Sequence, residues 1–422
     1  MSNIKKIWAR QILDSRGTPT VETACQLESG EISVASVPSG ASTGSYEGIE
    51  LRDQDPNKYA GKGVMKAVSN VNETLGTSVW GYDVTDQEKI DKRLIEIDGT
   101  KNKSKYGANA VLSISIAVAK AAALYTKQPL YSWINTLAKR AGIKESVHVP
   151  TPIFNMINGG LHGAGNLDFQ EFHVIPASTM PYSESLRAGV EIYMILGKDL
   201  ERRGAIHSVG DEGGYAPNLF TNADAIEVLY ESIKQTTYQA GRDVFFGMDV
   251  AASEFFKNGE YTIRDKSESL TGDTLLEYYR YLNSQYHFAE IEDPFHEDAW
   301  DSWKKLNEEL GTQMIIVGDD LLVTNLERVQ KAIAEKSCNA ILIKPNQTGT
   351  ITETLNVIKV ARDAGWKVIT SHRSGETNDW FIADFAIGVG SDFTKFGAPA
   401  RGERVVKYNR LLSIEAELNQ SK

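Results

Sequence analysis

The pattern of apolar and polar residues changes near residue 140. Before that point, strand-like segments at 20–26 and 31–37 precede helical patterns from about 57 to 137, which predicts an α+β arrangement. After it, short apolar runs recur between amphipathic helical stretches, at 244–250, 288–291, 314–317, 340–343 and 368–370. Strands that alternate with helices predict a parallel sheet, so we expect an α/β structure in the second part of the chain.

Ionisable residues stand at the ends of these apolar runs. Each run is followed almost immediately by one of them: Asp249, Glu292, Asp319, Lys344 and His372. In an α/β barrel the carboxyl ends of the strands converge on one rim. Three carboxylates beside a lysine at that rim predict a metal site with a base.

The type of metal follows from the type of ligand. Mg²⁺ prefers hard oxygen ligands and keeps positions for water and substrate, so three carboxylates without a Cys ligand favour it over zinc. An Asp after a strand can also be a helix N-cap, because its side chain accepts backbone N–H bonds. Asp249 and Asp319 could each be only that. The coincidence of several such positions favours the metal site.

Charge and cysteine content exclude some classes of function. The chain has 422 residues, with 56 acidic against 45 basic side chains and a net charge of -11, which argues against a nucleic-acid partner. Cys25 and Cys338 stand far apart and suggest neither a disulfide framework nor a zinc site.

Residues 1–13 lack the apolar core of a signal peptide, so a cytoplasmic location is expected.

The most apolar stretch, 107–125, is interrupted by Ser113, Ser115 and Lys120. Its many alanines suit a helix that packs closely on other parts of the protein. We therefore expect a buried helix and no membrane span.

Glycine-rich segments beside acidic or hydroxyl residues occur at 37–44 and 210–214. Each can be a functional loop or an ordinary surface loop. Neither fits the GxGxxG or the GxxxxGK[ST] pattern, so no phosphate-cradling motif supports nucleotide binding.

Long motifs run in order along nearly the whole chain. They are Ala9-Arg10, Asp14-Ser15-Arg16-Gly17, the loop from Ser39 to Gly44, Asn158-Gly159-Gly160 with His162, Gln170-Glu171-Phe172, Gly210-Asp211-Glu212-Gly213-Gly214, Asp249 to Phe255, Ile291-Glu292-Asp293-Pro294-Phe295, Gly318-Asp319-Asp320-Leu321, Lys344-Pro345-Asn346-Gln347, Ser371 to Thr377, and Lys395 with Gly397 to Arg401. On these motifs the chain resembles the enolase family. The resemblance implies a small α+β N-terminal domain, 1–140, and a (β/α)8-like barrel, 141–422, whose early strands depart from the plain alternating order.

The resemblance also implies an activity, the magnesium-dependent lyase reaction that converts 2-phosphoglycerate to phosphoenolpyruvate in glycolysis and gluconeogenesis. It implies two Mg²⁺ ions. Asp249, Glu292 and Asp319 would bind the tightly held one, and Ser42 would bind a second that arrives with substrate. The partner would be a small phosphorylated molecule, and the protein would be a homodimer or an assembly of dimers.

Further roles carry over by position. Lys344 would remove the C2 proton, while Glu212, with Glu171 and His162 beside it, would protonate the departing C3 hydroxyl. The remaining matched positions would bind substrate: Arg373 and Ser374 its phosphate, Lys395 its carboxylate, and Gln170 and His372 the rest of the pocket. Lys344 would have to be neutral, and Glu171 would help Glu212 to keep its proton by like-charge repulsion.

Three alternatives stay open at this point. A related barrel could abstract a proton beside the carboxylate of another acid, as racemases and cycloisomerases do. A catalytically idle member could keep the fold and bind partners. An aldolase could use Lys344 to form a Schiff base, which would need no trio of carboxylates.

Overall fold

The computed structural model describes residues 1–40, 46–163 and 167–420. The chain starts with an antiparallel three-stranded sheet of β1 (Ile4–Leu13), β2 (Pro19–Leu27) and β3 (Ile32–Ser36), in the order β1-β2-β3. β2 and β3 confirm the strands expected at 20–26 and 31–37, whereas β1 was not predicted. Buried and exposed residues alternate along β3, because one face of the sheet packs against helices.

Among the described residues of this first part, four α-helices follow the sheet: α1 (Met65–Asn70), α2 (Gln87–Asp98), α3 (Ala108–Tyr125) and α4 (Leu130–Arg140). Local signals set the ends of α2. The Asp86 side chain accepts a hydrogen bond from the Lys89 N–H at its start, and Gly99 takes the left-handed conformation, with φ of 68°, at its end. The α+β arrangement expected for this part is confirmed.

Helix α3 lies inside the protein. By length and composition alone it could cross a membrane, but 83% of its residues are buried. The three polar residues that interrupt its apolar run bond to protein groups: Ser113 bonds to Thr23 at 2.7 Å, Ser115 accepts from the Ile351 N–H at 3.0 Å, and Lys120 donates to Asp379 at 2.6 Å. These contacts join α3 to both parts of the molecule, as expected for a buried helix.

The second part is a closed barrel of eight strands. They are β4 (Thr151–Asn158), β5 (Glu171–Pro176), β6 (Val244–Asp249), β9 (Phe288–Glu292), β10 (Ile315–Gly318), β11 (Ala340–Ile343), β12 (Lys367–Ser371) and β13 (Phe393–Lys395), in that order around the barrel. A small hairpin of β7 (Phe256–Lys257) and β8 (Glu260–Tyr261) follows β6. Neighbouring barrel strands are parallel except that β5 is antiparallel to both β4 and β6. The expected departure of the early strands from the plain order is confirmed.

Helices connect the barrel strands from β5 onward and follow the last strand. They are α5 (Tyr182–Arg202), α6 (Asn222–Lys234), α7 (Gly272–Tyr286), α8 (Trp300–Leu310), α9 (Leu326–Glu335), α10 (Pro345–Thr348), α11 (Ile351–Asp363), α12 (Phe381–Gly388) and α13 (Gly402–Gln420). One apolar core runs through both parts of the molecule, and a smaller cluster, including Ile153, Val317 and Ile369, fills the barrel interior. The domain boundary at 140 stays a prediction.

Candidate active site

The candidate site lies at the rim where the parallel strands end. Asp249, Glu292 and Lys395 are the last residues of β6, β9 and β13, and Asp319, Lys344 and His372 directly follow β10, β11 and β12. Because β5 runs in the opposite direction, its first residue, Glu171, reaches the same rim. In register, Glu171 pairs with Asp249, which pairs with Glu292. The structure thus places the predicted strand-end residues together.

One cavity opens at this rim. The expected site residues that line it are His162, Gln170, Glu171, Glu212, Asp249, Asp319, Lys344, His372, Arg373, Ser374 and Lys395. Glu292 is buried and reaches the group through Lys395. Ser42 lies outside the described residues. Glu47, Asp293 and Asp320, which had no predicted role, also line the cavity.

Lys395 holds three of the carboxylates. Its Nζ lies 3.0 Å from Asp249 Oδ2, 2.8 Å from Glu292 Oε1 and 3.2 Å from Glu171 Oε2. Burial disfavours its charge, but Asp249, Glu171 and Glu292 outweigh burial and raise the pKa of Lys395 well above its usual value. Gln170 donates to the same Asp249 oxygen at 3.2 Å.

Lys344 pairs with the remaining strand-end carboxylate. Its Nζ donates to Asp319 Oδ2, and this attraction raises the pKa of Lys344 even though burial opposes it. The other oxygen, Asp319 Oδ1, is buried and has no hydrogen-bond partner among the described residues. The expected metal ligands therefore pair with two different lysines. Asp249 and Glu292 contact Lys395, and Asp319 contacts Lys344.

The donor set fits a divalent cation. Asp319 brings an oxygen to within 4.8 Å of one from Asp293 and one from Asp320. Asp293 also fixes this turn, since its two oxygens accept the Asp319 N–H at 3.0 Å and the Asp320 N–H at 2.7 Å. Burial and the charge of Asp319 raise the pKa of Asp320 to about 7, whereas Lys344 outweighs burial and lowers the pKa of Asp319. A bound cation would relieve that repulsion, and hard oxygen ligands suit Mg²⁺.

A second group joins two carboxylates through histidines. His162 Nδ1 lies 3.1 Å from Glu171 Oε1 and 3.7 Å from Glu212 Oε1, and His372 Nε2 lies 3.0 Å from Glu212 Oε2. Burial disfavours a charged His162, but Glu212 and Glu171 raise its pKa to about 9. Burial and Glu171 push the pKa of Glu212 up, while His372 and His162 outweigh them and lower it to about 2.

Basic and hydroxyl groups line the part of the cavity that the loop at 371–375 forms. Arg373 donates to Glu47 at 3.2 Å and to Asn346 at 3.1 Å. Ser374 accepts from Arg16 at 3.3 Å, which brings the turn at 14–17 of the first part of the chain to the rim of the barrel. A planar guanidinium with a neighbouring hydroxyl suits a phosphate group.

Three residues below the rim were not predicted. His173, two residues into β5, lies 3.0 Å from Glu171 Oε2 through Nε2 and 2.9 Å from Glu290 Oε2 through Nδ1. Gly247 separates them on β6, where a Cβ would lie 2.3 Å from Glu290 Oε2. A sequence signal for His173 and Glu290 was available. Each is a polar residue in an otherwise apolar strand, two positions from Glu171 or Glu292, and so lies on the same face of the strand as that residue.

Comparison with protein families covers nearly the whole chain. The family model described as "Enolase, N-terminal domain" matches residues 4–134. The one described as "Enolase, C-terminal TIM barrel domain" matches residues 146–422. The second match contains every strand of the barrel and its rim.

Proposed function

This chain belongs to the enolase family and is a lyase, and from this premise we propose that it catalyses the reversible dehydration of 2-phosphoglycerate to phosphoenolpyruvate. The observation that carries the proposal is that Lys344 and the Glu171, His162 and Glu212 group line one cavity together with strand-end carboxylates. Removal of water from this substrate needs a base for the C2 proton and an acid for the C3 hydroxyl.

We assign Asp249, Glu292 and Asp319 as ligands of a first Mg²⁺ and Ser42 as a ligand of a second. The unpartnered Oδ1 of Asp319 and the surplus of buried carboxylates support the first assignment. When bound, the metal supplies positive charge that absorbs the negative charge added to the substrate carboxylate as its neighbouring proton leaves. That a Lys base works with one or two Mg²⁺ ions is a general property of this superfamily.

Lys344 takes the C2 proton and must therefore be neutral. Its pair with Asp319 favours the charged form. When Asp319 serves as a ligand, Lys344 loses that partner, while Arg373 and Lys395 still lower its pKa. The same carboxylate thus controls both the metal site and the state of the base.

Glu212 delivers a proton to the C3 hydroxyl. In this structure His372 and His162 outweigh burial and Glu171 and hold the pKa of Glu212 near 2, so Glu212 can carry that proton only after the negative charge of the bound substrate raises this pKa. His162, whose Nδ1 is 3.7 Å from Glu212 Oε1, is the cationic neighbour whose charge that substrate would offset. Glu171 accepts from the same nitrogen and so orients the imidazole.

The substrate is held through its two acidic ends. Arg373 and Ser374 bind the phosphate, Lys395 faces the carboxylate, and Gln170 and His372 complete the pocket. From family membership we further propose that the protein is cytoplasmic, acts in glycolysis and gluconeogenesis, and forms a homodimer or an assembly of dimers. Sedimentation velocity on the purified protein measures the assembly state.

The test of function is ultraviolet absorbance at the enol band after 2-phosphoglycerate is added to the protein, first with Mg²⁺ and then with excess EDTA. We expect product to form with Mg²⁺ and formation to stop with EDTA. Folded protein that forms no product with Mg²⁺ would refute the proposal. Turnover of another acid with an acidic α-proton, trapping by borohydride, or no reaction at all would then separate the three alternatives.

A further inference from the structure

Arg404 is a fully buried arginine near the start of α13, with no part in the proposed chemistry. One guanidinium nitrogen lies 2.6 Å from His372 Nδ1 and donates to the Arg373 carbonyl at 2.6 Å. The other donates to the Ser374 carbonyl at 2.6 Å and to the Asp211 carbonyl at 3.0 Å. Arg404 therefore joins the loop that carries Glu212 to the loop at 371–375.

The contact with His372 determines which ring nitrogen carries the proton. A guanidinium has only donors and keeps its charge in proteins, so Nδ1 of His372 has to accept. The imidazole proton then lies on Nε2, which faces Glu212 Oε2 at 3.0 Å. His372 is consequently neutral and donates to the carboxylate of Glu212.

The surroundings of the ring agree with this state. The charged groups that face His372 are Glu212, Arg404 and Glu376, and Arg373 is its neighbour in the chain. Burial, helped by Arg404, lowers the pKa of His372 against the pull of Glu212 and Glu376. The ring also packs on Gly397, where a Cβ would lie 2.8 Å from its Cε1, so the ring is held closely in place.

We propose that Arg404 is a positioning residue that fixes His372 as the neutral Nε2–H tautomer. His372 then remains a hydrogen-bond donor to Glu212 and cannot take the proton that Glu212 transfers. The effect on proton transfer by Glu212 rests on the proposed function. The tautomer of His372 is a property of the folded protein and can be measured without turnover.

The first experiment is ¹⁵N NMR of the full-length protein labelled at its seven histidines, with His372 assigned by comparison with His372→Gln. From pH 6 to 8 we expect His372 to show the neutral Nε2–H signature in the wild type and in Arg404→Lys, which keeps a cationic donor. In Arg404→Met the signal should become that of an imidazolium as the pH falls. A protonated Nδ1 in the wild type, or an unchanged signal in Arg404→Met, would overturn the proposal.

The second experiment measures kcat and KM. Arg404→Met should lower kcat about 10- to 100-fold, with KM changed less than about threefold, because a misplaced catalytic group costs rate more than binding. It should also bring a fall of kcat on the acid side that the wild type lacks. Arg401→Met, which removes donors to the Gly210 and Ser15 carbonyls but none to His372, is the matched control and should leave the His372 signal unchanged.

A double-mutant cycle separates positioning from simple support of the loops. If Arg404 acts through His372, Arg404→Met should cost much less kcat in the His372→Gln background than in the wild type. Equal costs in the two backgrounds would assign Arg404 a purely structural role. Absence of turnover in the wild type would refute the proposed function but leave the NMR result on the tautomer standing.

Discussion

Lys344 and Lys395 are two lysines in the same cavity with different sets of partners. Lys395 contacts three buried carboxylates, Glu171, Asp249 and Glu292, whereas within the described part of the chain Lys344 forms an ion pair only with Asp319. Loss of a single partner therefore changes the charge state of Lys344 far more readily than that of Lys395. This asymmetry supports the roles that the family resemblance implies, the base for Lys344 and the fixed cation for Lys395.

Lys344→Ala should abolish exchange of the C2 hydrogen with solvent, by at least about 10³-fold, because no other group is assigned to remove it. NMR of 2-phosphoglycerate in D₂O measures this exchange. Mg²⁺ binding, followed by calorimetry, should persist, since the carboxylate ligands remain. Lys92→Ala, a change at an exposed lysine of α2, is the control and should exchange normally. Exchange retained in Lys344→Ala would assign the base elsewhere.

Sequence could predict which residues meet at the rim but not their protonation. The motifs located Glu212 and its neighbour Glu171, but the expectation that Glu171 keeps Glu212 protonated is wrong in this structure, although repulsion from Glu171 adds to the upward push of burial on the pKa of Glu212. The two histidines outweigh it, because His372 and His162 both come within hydrogen-bonding or ion-pair distance of the same carboxylate. Such a balance depends on distances between side chains that lie 50 and 160 residues from Glu212 along the chain, which no local pattern contains.

At the scale of elements, paired residues of the neighbouring strands β5, β6 and β9 form two layers. Glu171, Asp249 and Glu292 make the layer at the rim, and His173, Gly247 and Glu290 make the one below it. The glycine leaves the space through which the histidine and the glutamate meet. The lower layer therefore holds the upper one through the bond from His173 to Glu171.

Gly247→Ala should destabilise the protein by about 1–3 kcal/mol, because the new methyl group would overlap a buried, hydrogen-bonded carboxylate. Urea denaturation measures the change. Gly402→Ala is the matched control, since no atom lies within 4 Å of its Cβ position and the residue begins α13. It should be neutral or slightly stabilising. Equal effects of the two changes would mean that the space at Gly247 is not needed.

Apolar runs predicted the later barrel strands to within a residue or two, because strands buried on both faces read as continuous apolar segments. The pattern missed β1 and the barrel strands β4, β5 and β13. β1 alternates charged with apolar residues, and that alternation, typical of a half-buried strand, was read only as evidence against a signal peptide. The reversal of β5 came from family resemblance alone, since strand direction leaves no mark in the apolar pattern.

At the scale of the whole molecule, His173 makes the free energy of unfolding depend on pH. Burial disfavours its charge, but Glu290 and Glu171 raise its pKa from 6.5 to about 9. A raised pKa means that the folded state binds the proton more tightly than the unfolded chain does. The resulting stabilisation is fully present below about pH 6.5 and is lost as the pH rises through about 9.

We therefore expect the stability difference between the wild type and His173→Gln to shrink by about 3 kcal/mol between pH 6 and pH 10. Urea denaturation at several pH values measures it. His148→Gln, a change at an exposed histidine, is the control and should show no such trend. A difference that stays constant with pH would mean that His173 is neutral in the folded protein.

The reversed strand β5 has a consequence for how this barrel could be recombined. Barrels built from repeated strand–helix units can exchange units with one another, because each unit offers the same parallel edges to its neighbours. Here β4, β5 and β6 can move only as one block, since β5 pairs in antiparallel fashion on both sides. That block carries Glu171 and Asp249, while the five exchangeable strands after it each supply one of Glu292, Asp319, Lys344, His372 and Lys395. A chimaera cut after β6 would thus divide the proposed first-metal ligands between two parents, and one cut inside the block would leave a strand without a compatible edge.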